Sequence, residues 1–215
     1  MPTGTGKTIT LLSLITSYQL AHAEVGKLIY CTRTVPEMEK VLAELQELID
    51  YRSKYFEGNK EPKILAVGLS SRKNLCVHPI VADEGSRESV DARCMKLTAP
   101  WIRERDSRDP GCEELCDWYE GLDAAGPSAR LDPGVYTLKD LRNLGRKKKW
   151  CPYFLARHMI AFSNVVVFNY QYMIDPKVSN MVSREMEKEC VVVFDEAHNI
   201  DNVCIEALRY VCCSK

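Results

Sequence analysis

Apolar residues in this chain gather into short runs and into helical stripes, with polar punctuation between them. Residues 8–21, TITLLSLITSYQLA, read as a helix. KLIYCTR (27–33) is an apolar run of β-formers and reads as a buried strand. TVPEMEKVLAELQELIDY follows, with Val35, Met38, Val41, Leu42, Leu45 and Leu48 at helical spacing and Pro36 suited to the first turn. KILAVGLSS (63–71), NVVVFNYQY (164–172) and CVVVFDEAH (190–198) read as three more strands. Nearly continuous apolar strands separated by helical segments predict an α/β fold, a parallel sheet with helices on both faces. Between about residues 70 and 155 the strands vanish, and charge, Pro, Gly and Cys take over in SRKNLCVHP, DARCMKLTAPW, GCEELCDWYEG and GRKKKWCPYF. The expected organisation is therefore an α/β domain in two parts, 1–69 and 156–215, carrying a loop-rich insert at 70–155.

Composition changes this picture at two points. The 29 Lys and Arg balance 30 Asp and Glu, so any nucleic-acid footprint must be local. Ten cysteines are many for 215 residues. No apolar run is long enough to span a membrane, and no membrane partner is expected.

The opening PTGTGKT carries chemistry. Gly4 and Gly6 let the backbone curl until its N–H groups, with that of Thr5, point at phosphate oxygens. Lys7 brings a point charge to the outer phosphates, and the Thr8 hydroxyl can ligate Mg²⁺. The helix that follows adds a favourable dipole for an anion. Where the common pattern has a further Gly, six residues before the Lys, this chain has Met1. A secretory signal with Lys7 as its charged start and Ala21-His22-Ala23 as its cleavage site competes for the same residues. VVVFDEAH (191–198) decides between the two, because a signal peptide has no use for an acidic strand tip. Asp195 emerges at that tip, where an acid holds Mg²⁺ with the loop Thr. Glu196 is placed to orient or deprotonate the attacking water, and His198 to hydrogen-bond towards the phosphates. Together these stretches predict an ATPase.

Cys76, Cys94, Cys116 and Cys151 fall in the insert at long, uneven spacings, without the paired C-x-x-C of a zinc ribbon. Thiolates so spaced suit a 4Fe–4S cube, and a four-cysteine zinc site also stays open. Cys31, Cys190 and Cys204 read as small buried apolar groups. GRKKKWCPYFLARH gathers Arg146, Lys147, Lys148 and Lys149 beside Trp150, Tyr153, Phe154 and Arg157. Cations can track a phosphate backbone while aromatic faces stack on unpaired bases. The bland alternative is a solvated basic turn before a core helix.

MPTGTGKT, LIYCTRTVPEMEKVLAEL, SSRKNLCVHP, CPYFLAR and VVVFDEAHNIDNVCIEAL, in that order and as far as about Leu208, resemble the xeroderma pigmentosum group D helicase family. The resemblance implies an incomplete RecA-like P-loop motor domain with a 4Fe–4S insert. It implies ATP hydrolysis with Mg²⁺, 5′ to 3′ movement on single-stranded DNA, and work in nucleotide excision repair and transcription initiation. The implied setting is the nucleus, among the other subunits of transcription factor IIH. Residue by residue, it selects Cys116 over Cys112 as a cluster ligand and places Tyr153 and Arg157 on the single-strand path. Arg72 with Lys73, and Arg33 with Thr34 just after a strand, are further DNA candidates. The resemblance also implies a strand before Met1 and a second motor domain downstream, so the chain is expected to be a partial product, inactive alone. Two other readings stand beside this one. One is a non-hydrolysing DNA-binding or interaction module. The other is an iron–sulfur helicase of the Fanconi anaemia group J type, against which RTVPEMEK and DEAHNIDNVCIEAL weigh.

Overall fold

A computed structural model describes residues 6–22, 24–55, 63–170, 172, 190–202 and 204–205. The chain divides into two compact units. The first comprises Met1–Leu69, Leu131–Thr137 and Ile160–Lys215, and the second Ser70–Arg130 and Leu138–Met159.

The first unit is built on a parallel sheet. Its elements are α1 (Lys7–Ala21), β1 (Leu28–Thr32), α2 (Val35–Ser53) and β2 (Leu65–Leu69), and later in the chain β3 (Gly134–Tyr136), β4 (Val165–Asn169) and β5 (Val191–Phe194). The strand order is β3-β2-β4-β1-β5. Leu28 pairs in register with Val165 on one side and Val191 on the other. Strands β1 and β2 are buried throughout, which is why both read as unbroken apolar runs. Strand β5 differs from the fully buried strand expected: it is an edge strand of the described sheet, and Val192 and Phe194 on one face are each 38% exposed. An edge strand has a neighbour on one side only, so an apolar run does not guarantee burial.

Helix α2 lies against β1, β2, β3 and β4 and buries Met38, Val41, Leu42, Leu45 and Leu48, the stripe its spacing predicts. A capping box starts it: the Thr34 hydroxyl accepts from the Glu37 N–H, and the Glu37 carboxylate accepts from the N–H of Thr34. Its far end is tied to α1 by Arg52, whose guanidinium donates to Thr16 Oγ1 (2.8 Å), the Ser13 carbonyl (2.8 Å) and Ser17 Oγ (2.7 Å). At the amino edge of the sheet Asn164 acts as a buckle. Its N–H and Oδ1 pair with the backbone of Leu65, and its carbonyl accepts from the Leu28 N–H.

The second unit corrects the expectation of a loop-rich insert. It folds as helices of 4 to 12 residues: α3 (Arg72–Leu75), α4 (Pro79–Ala82), α5 (Arg87–Thr98), α6 (Pro100–Arg108), α7 (Asp117–Ala125), α8 (Leu138–Lys148) and α9 (Pro152–Met159). Most are too short to show a helical period, but their starts are signalled. Pro79, Pro100 and Pro152 stand at first positions, and Ser86 Oγ caps α5 by accepting from the Ser89 N–H (3.0 Å). Val81, Val90, Cys94, Leu97 and Cys116 form its core, with Cys76, Trp118, Tyr119 and Phe154 packed against them. A strand also lies inside the stretch read as strandless, since residues 134–136 return to the first unit as β3. Among the described residues, no helix is long and apolar enough to cross a membrane.

Candidate functional site

Helix α1 starts where Gly6 takes a left-handed conformation, φ 72°, which glycine adopts at no steric cost. Gly4 and Thr5 lie outside the described residues. From the other end of the sequence, β5 delivers Asp195, whose N–H continues the sheet by donating to the Cys31 carbonyl (2.9 Å). Glu196 then takes φ 51°, uncommon for a residue with a side chain. That turn brings its carboxylate to the start of α1: Glu196 Oε1 stands 3.3 Å from Lys7 Nζ, across 189 residues of sequence. His198 Nδ1, on the 3₁₀ turn Ala197–Asn199, is 3.4 Å from the other carboxylate oxygen. Both members of the Lys7–Glu196 pair are more than a third exposed, so the contact is worth a fraction of a kcal/mol to the fold. Its importance is one of placement.

Tyr30 is a member of this corner that the sequence pattern assigned to the core. Its side chain is fully buried at the middle of β1. Its hydroxyl lies beside both the Thr8 hydroxyl and the Asp195 carboxylate, near enough for each to act on its acidity, yet neither completes a hydrogen bond of ordinary length and angle. Burial, and after it the Asp195 charge, raise its pKa well above the usual phenol value, so it keeps its proton. Tyr170, just past the tip of β4, is pushed up to about 12 by burial and then by Asp195. Nothing in KLIYCTR distinguishes a core tyrosine from a site tyrosine; only strand order does.

The second unit gathers the four cysteines. Cys76 caps the end of α3, Cys94 sits in α5, Cys116 caps the start of α7, and Cys151 immediately precedes α9. Cys94, Cys116 and Cys151 are buried and Cys76 is half-buried. Burial raises all four thiols, Cys76 to about 11 and Cys151 to about 12. The sulfurs also act on one another: Cys76 feels Cys94 and Cys116, and Cys151 feels Cys116 and Cys94. Opposing the rise are N–H groups aimed at sulfur, from Val77 and His78 at Cys76, Trp118 and Tyr119 at Cys116, and Tyr153 and Phe154 at Cys151. Arg72 and Thr98 do the same for Cys94. Among the described residues, no three His, Cys, Asp or Glu side chains come close enough to hold a single ion. Cys112 is exposed on the turn before α7, away from this group's burial. Of the cysteines read as core groups, Cys31 is fully buried, but Cys190 precedes β5 rather than lying in it and is half-buried, as is Cys204. Cys212 and Cys213 lie outside the described residues.

The residues expected to meet DNA are placed unevenly. Tyr153 is buried, and two guanidinium groups stand over its ring, Arg72 at 4.5 Å and Arg157 at 5.3 Å from the centroid. Arg157 also donates to its hydroxyl (3.2 Å), and Arg72 pairs with Asp91 (3.4 Å). The buried ring is thus engaged by two charged groups rather than offered as an open stacking face. Thr34 is engaged as the cap of α2, while the Arg33 side chain is exposed. Lys73 donates to the Gly85 carbonyl. Arg146, Lys147, Lys148 and Lys149 are exposed at the end of α8, with Lys148 over Trp150 (4.5 Å) and Lys149 over Trp118 (4.6 Å).

The DEAD_2 family model matches residues 30–212, most of the chain, from the middle of β1 through the acidic tip of β5. The chain belongs to the DEAD_2 family. This DEAD_2 chain is 60% identical over 209 residues to the general transcription and DNA repair factor IIH helicase subunit XPD of Arabidopsis thaliana, covering 97% of the chain and 27% of that protein. It is 51% identical over the same shares to the subunit of the same name in Schizosaccharomyces pombe. It thus spans about a quarter of the length of these relatives. A solved XPD helicase structure shares the fold, with a TM-score of 0.55 at 23% identity, over 94% of the chain and 29% of that structure.

Proposed function

We propose that this chain is part of an ATP-dependent DNA helicase that moves 5′ to 3′ on single-stranded DNA. In this reading it serves nucleotide excision repair and transcription initiation in the nucleus, alongside other subunits of transcription factor IIH; the support is its similarity to proteins named as helicase subunits of the general transcription and DNA repair factor IIH. The observation that carries the ATPase reading is the meeting of Lys7 with Glu196, beside Thr8, Asp195 and Tyr30, at the carboxyl edge of a parallel sheet. That edge is where α/β sheets hold their ligands. When bound, ATP with Mg²⁺ supplies the cleavable phosphoanhydride and the cation that neutralises it. Lys7 contributes charge to the outer phosphates, and Thr8 and Asp195 contribute oxygens to the metal. A phosphate at Lys7 competes with Glu196 for the ammonium, and the released carboxylate is then available to orient water and take its proton. His198 sits beside that same carboxylate and helps to hold it. A Lys7→Ala variant should bind a fluorescent ATP analogue with Mg²⁺ at least tenfold more weakly than the parent chain. Equal affinities would refute the site.

The second unit fits a 4Fe–4S cluster held by Cys76, Cys94, Cys116 and Cys151. A zinc ion would draw its ligands onto one point, whereas a cube takes one thiolate per iron and sets them farther apart. Four thiols gathered in one unit, each with N–H donors or a cation at sulfur, support thiolate ligation there. Bound there, the group would tie α3, α5, α7 and α9 together covalently. The exposed run Arg146 to Lys149 supports single-stranded DNA as the polyanion this unit meets, with Arg33, Arg72, Tyr153 and Arg157 as further contacts. It also favours, as a second reading, a unit that binds DNA without hydrolysis.

A further inference from the structure

Among the described residues, Tyr30 Oη at the middle of β1, and Asn169 Oδ1 and Tyr170 Oη at the carboxyl end of β4, are buried without a hydrogen-bond partner of ordinary length and angle. Buried polar atoms are nearly always paired, so an orphan in this corner asks for an explanation. Tyr30 offers the sharpest case. Its ring fills the sheet beside Ile29 and Cys31, space that a phenylalanine would fill equally well. The hydroxyl therefore adds nothing to packing. It is aimed instead between two groups from distant segments, the Thr8 hydroxyl and the Asp195 carboxylate. Strand register produces this: Tyr30 stands opposite Val193, two residues before Asp195.

We propose that Tyr30 is a positioning residue for the metal of the bound nucleotide, its hydroxyl donating to the Asp195 carboxylate while Asp195 and Thr8 hold Mg²⁺. The inference rests on the ATPase reading above. A carboxylate has about four lone-pair sites, and a metal leaves most of them open. A donor fixed in a strand holds the remaining oxygen and sets the angle at which the other meets the cation. Partners of this kind typically change metal affinity or activity by about 10- to 100-fold. Tyr30 is suited to it because its ring is fully buried in the middle of β1 and cannot swing away from the sheet.

The test is binding of a fluorescent ADP analogue to the full chain, with Mg²⁺ and with EDTA. In the parent, Mg²⁺ should tighten binding. In Tyr30→Phe that gain should shrink by about tenfold while metal-free affinity is unchanged. Mn²⁺ bound with ADP, counted by electron paramagnetic resonance, should fall in parallel. In an Asp195→Asn background Tyr30→Phe should have no further effect, because the hydroxyl acts through that carboxylate. The melting temperature of Tyr30→Phe should equal or exceed that of the parent, since an unpaired hydroxyl is lost. A full Mg²⁺ gain in Tyr30→Phe, or a lowered melting temperature, overturns the proposal and leaves the ATPase reading intact. Binding unaffected by Lys7→Ala overturns that reading and the proposal together.

Discussion

Cys31 shows how burial alone can change a residue's chemistry. It lies in the middle of the sheet, and burial pushes its thiol from an ordinary value near 9 up to about 12. Below pH 9 both folded and unfolded chains hold the proton; above it the unfolded chain loses the proton while the folded one keeps it. Stability is therefore fully present below about 9 and lost as pH rises towards 12. Cys31→Val removes this contribution, so between pH 8 and pH 10 the parent should lose about 1 kcal/mol more than the variant in denaturant titrations. Other residues were legible to different depths. Lys7, Thr8, Asp195 and Glu196 stand out as candidates because the proposed phosphate and magnesium chemistry asks for those types at those spacings. Thr34 and Tyr153 could not be fully read, because a cap and a pair of guanidiniums engage them in ways set by neighbours.

At the scale of elements, periodicity served the first unit well and the second poorly. Helix α2 shows five buried residues at helical spacing, and β1, β2 and β4 are apolar runs. Helices α3 and α4 have four residues each, too few for a stripe, and are fixed by how they pack. Glycines show how tight that packing is. A Cβ on Gly121 of α7 would lie 2.3 Å from the Lys149 carbonyl oxygen, and one on Gly145 of α8 would lie 2.5 Å from Pro152 Cγ. Backbone oxygen cannot rotate aside, so Gly121→Ala should cost about 1–3 kcal/mol, partly offset by alanine's better helix propensity of about 1 kcal/mol. Gly85→Ala, where a Cβ meets nothing within 4 Å, should be near neutral. Thermal melts of the two variants check the contrast.

For the whole molecule, the division into two units makes the proposed cluster a local matter with a global readout. Purified without oxygen, the chain should be brown and carry about four irons with acid-labile sulfide. Serine at Cys76, Cys94, Cys116 or Cys151 should abolish iron and loosen the second unit, while Cys112→Ser should leave both nearly unchanged. Iron assay and circular dichroism distinguish these outcomes, and stoichiometric zinc without sulfide would reject the cube. Taken by itself, the sequence determined the α/β class, the core stripe of α2 and the candidate residues of the proposed nucleotide site, because each depends on residues within a few positions of one another. Only the tertiary structure decided that Lys7 meets Glu196, that Tyr30 stands beside Thr8 and Asp195, that β5 lies at an edge, and that four scattered cysteines share one buried neighbourhood. Those facts depend on strand order and on packing between segments far apart in the chain, which no local pattern encodes.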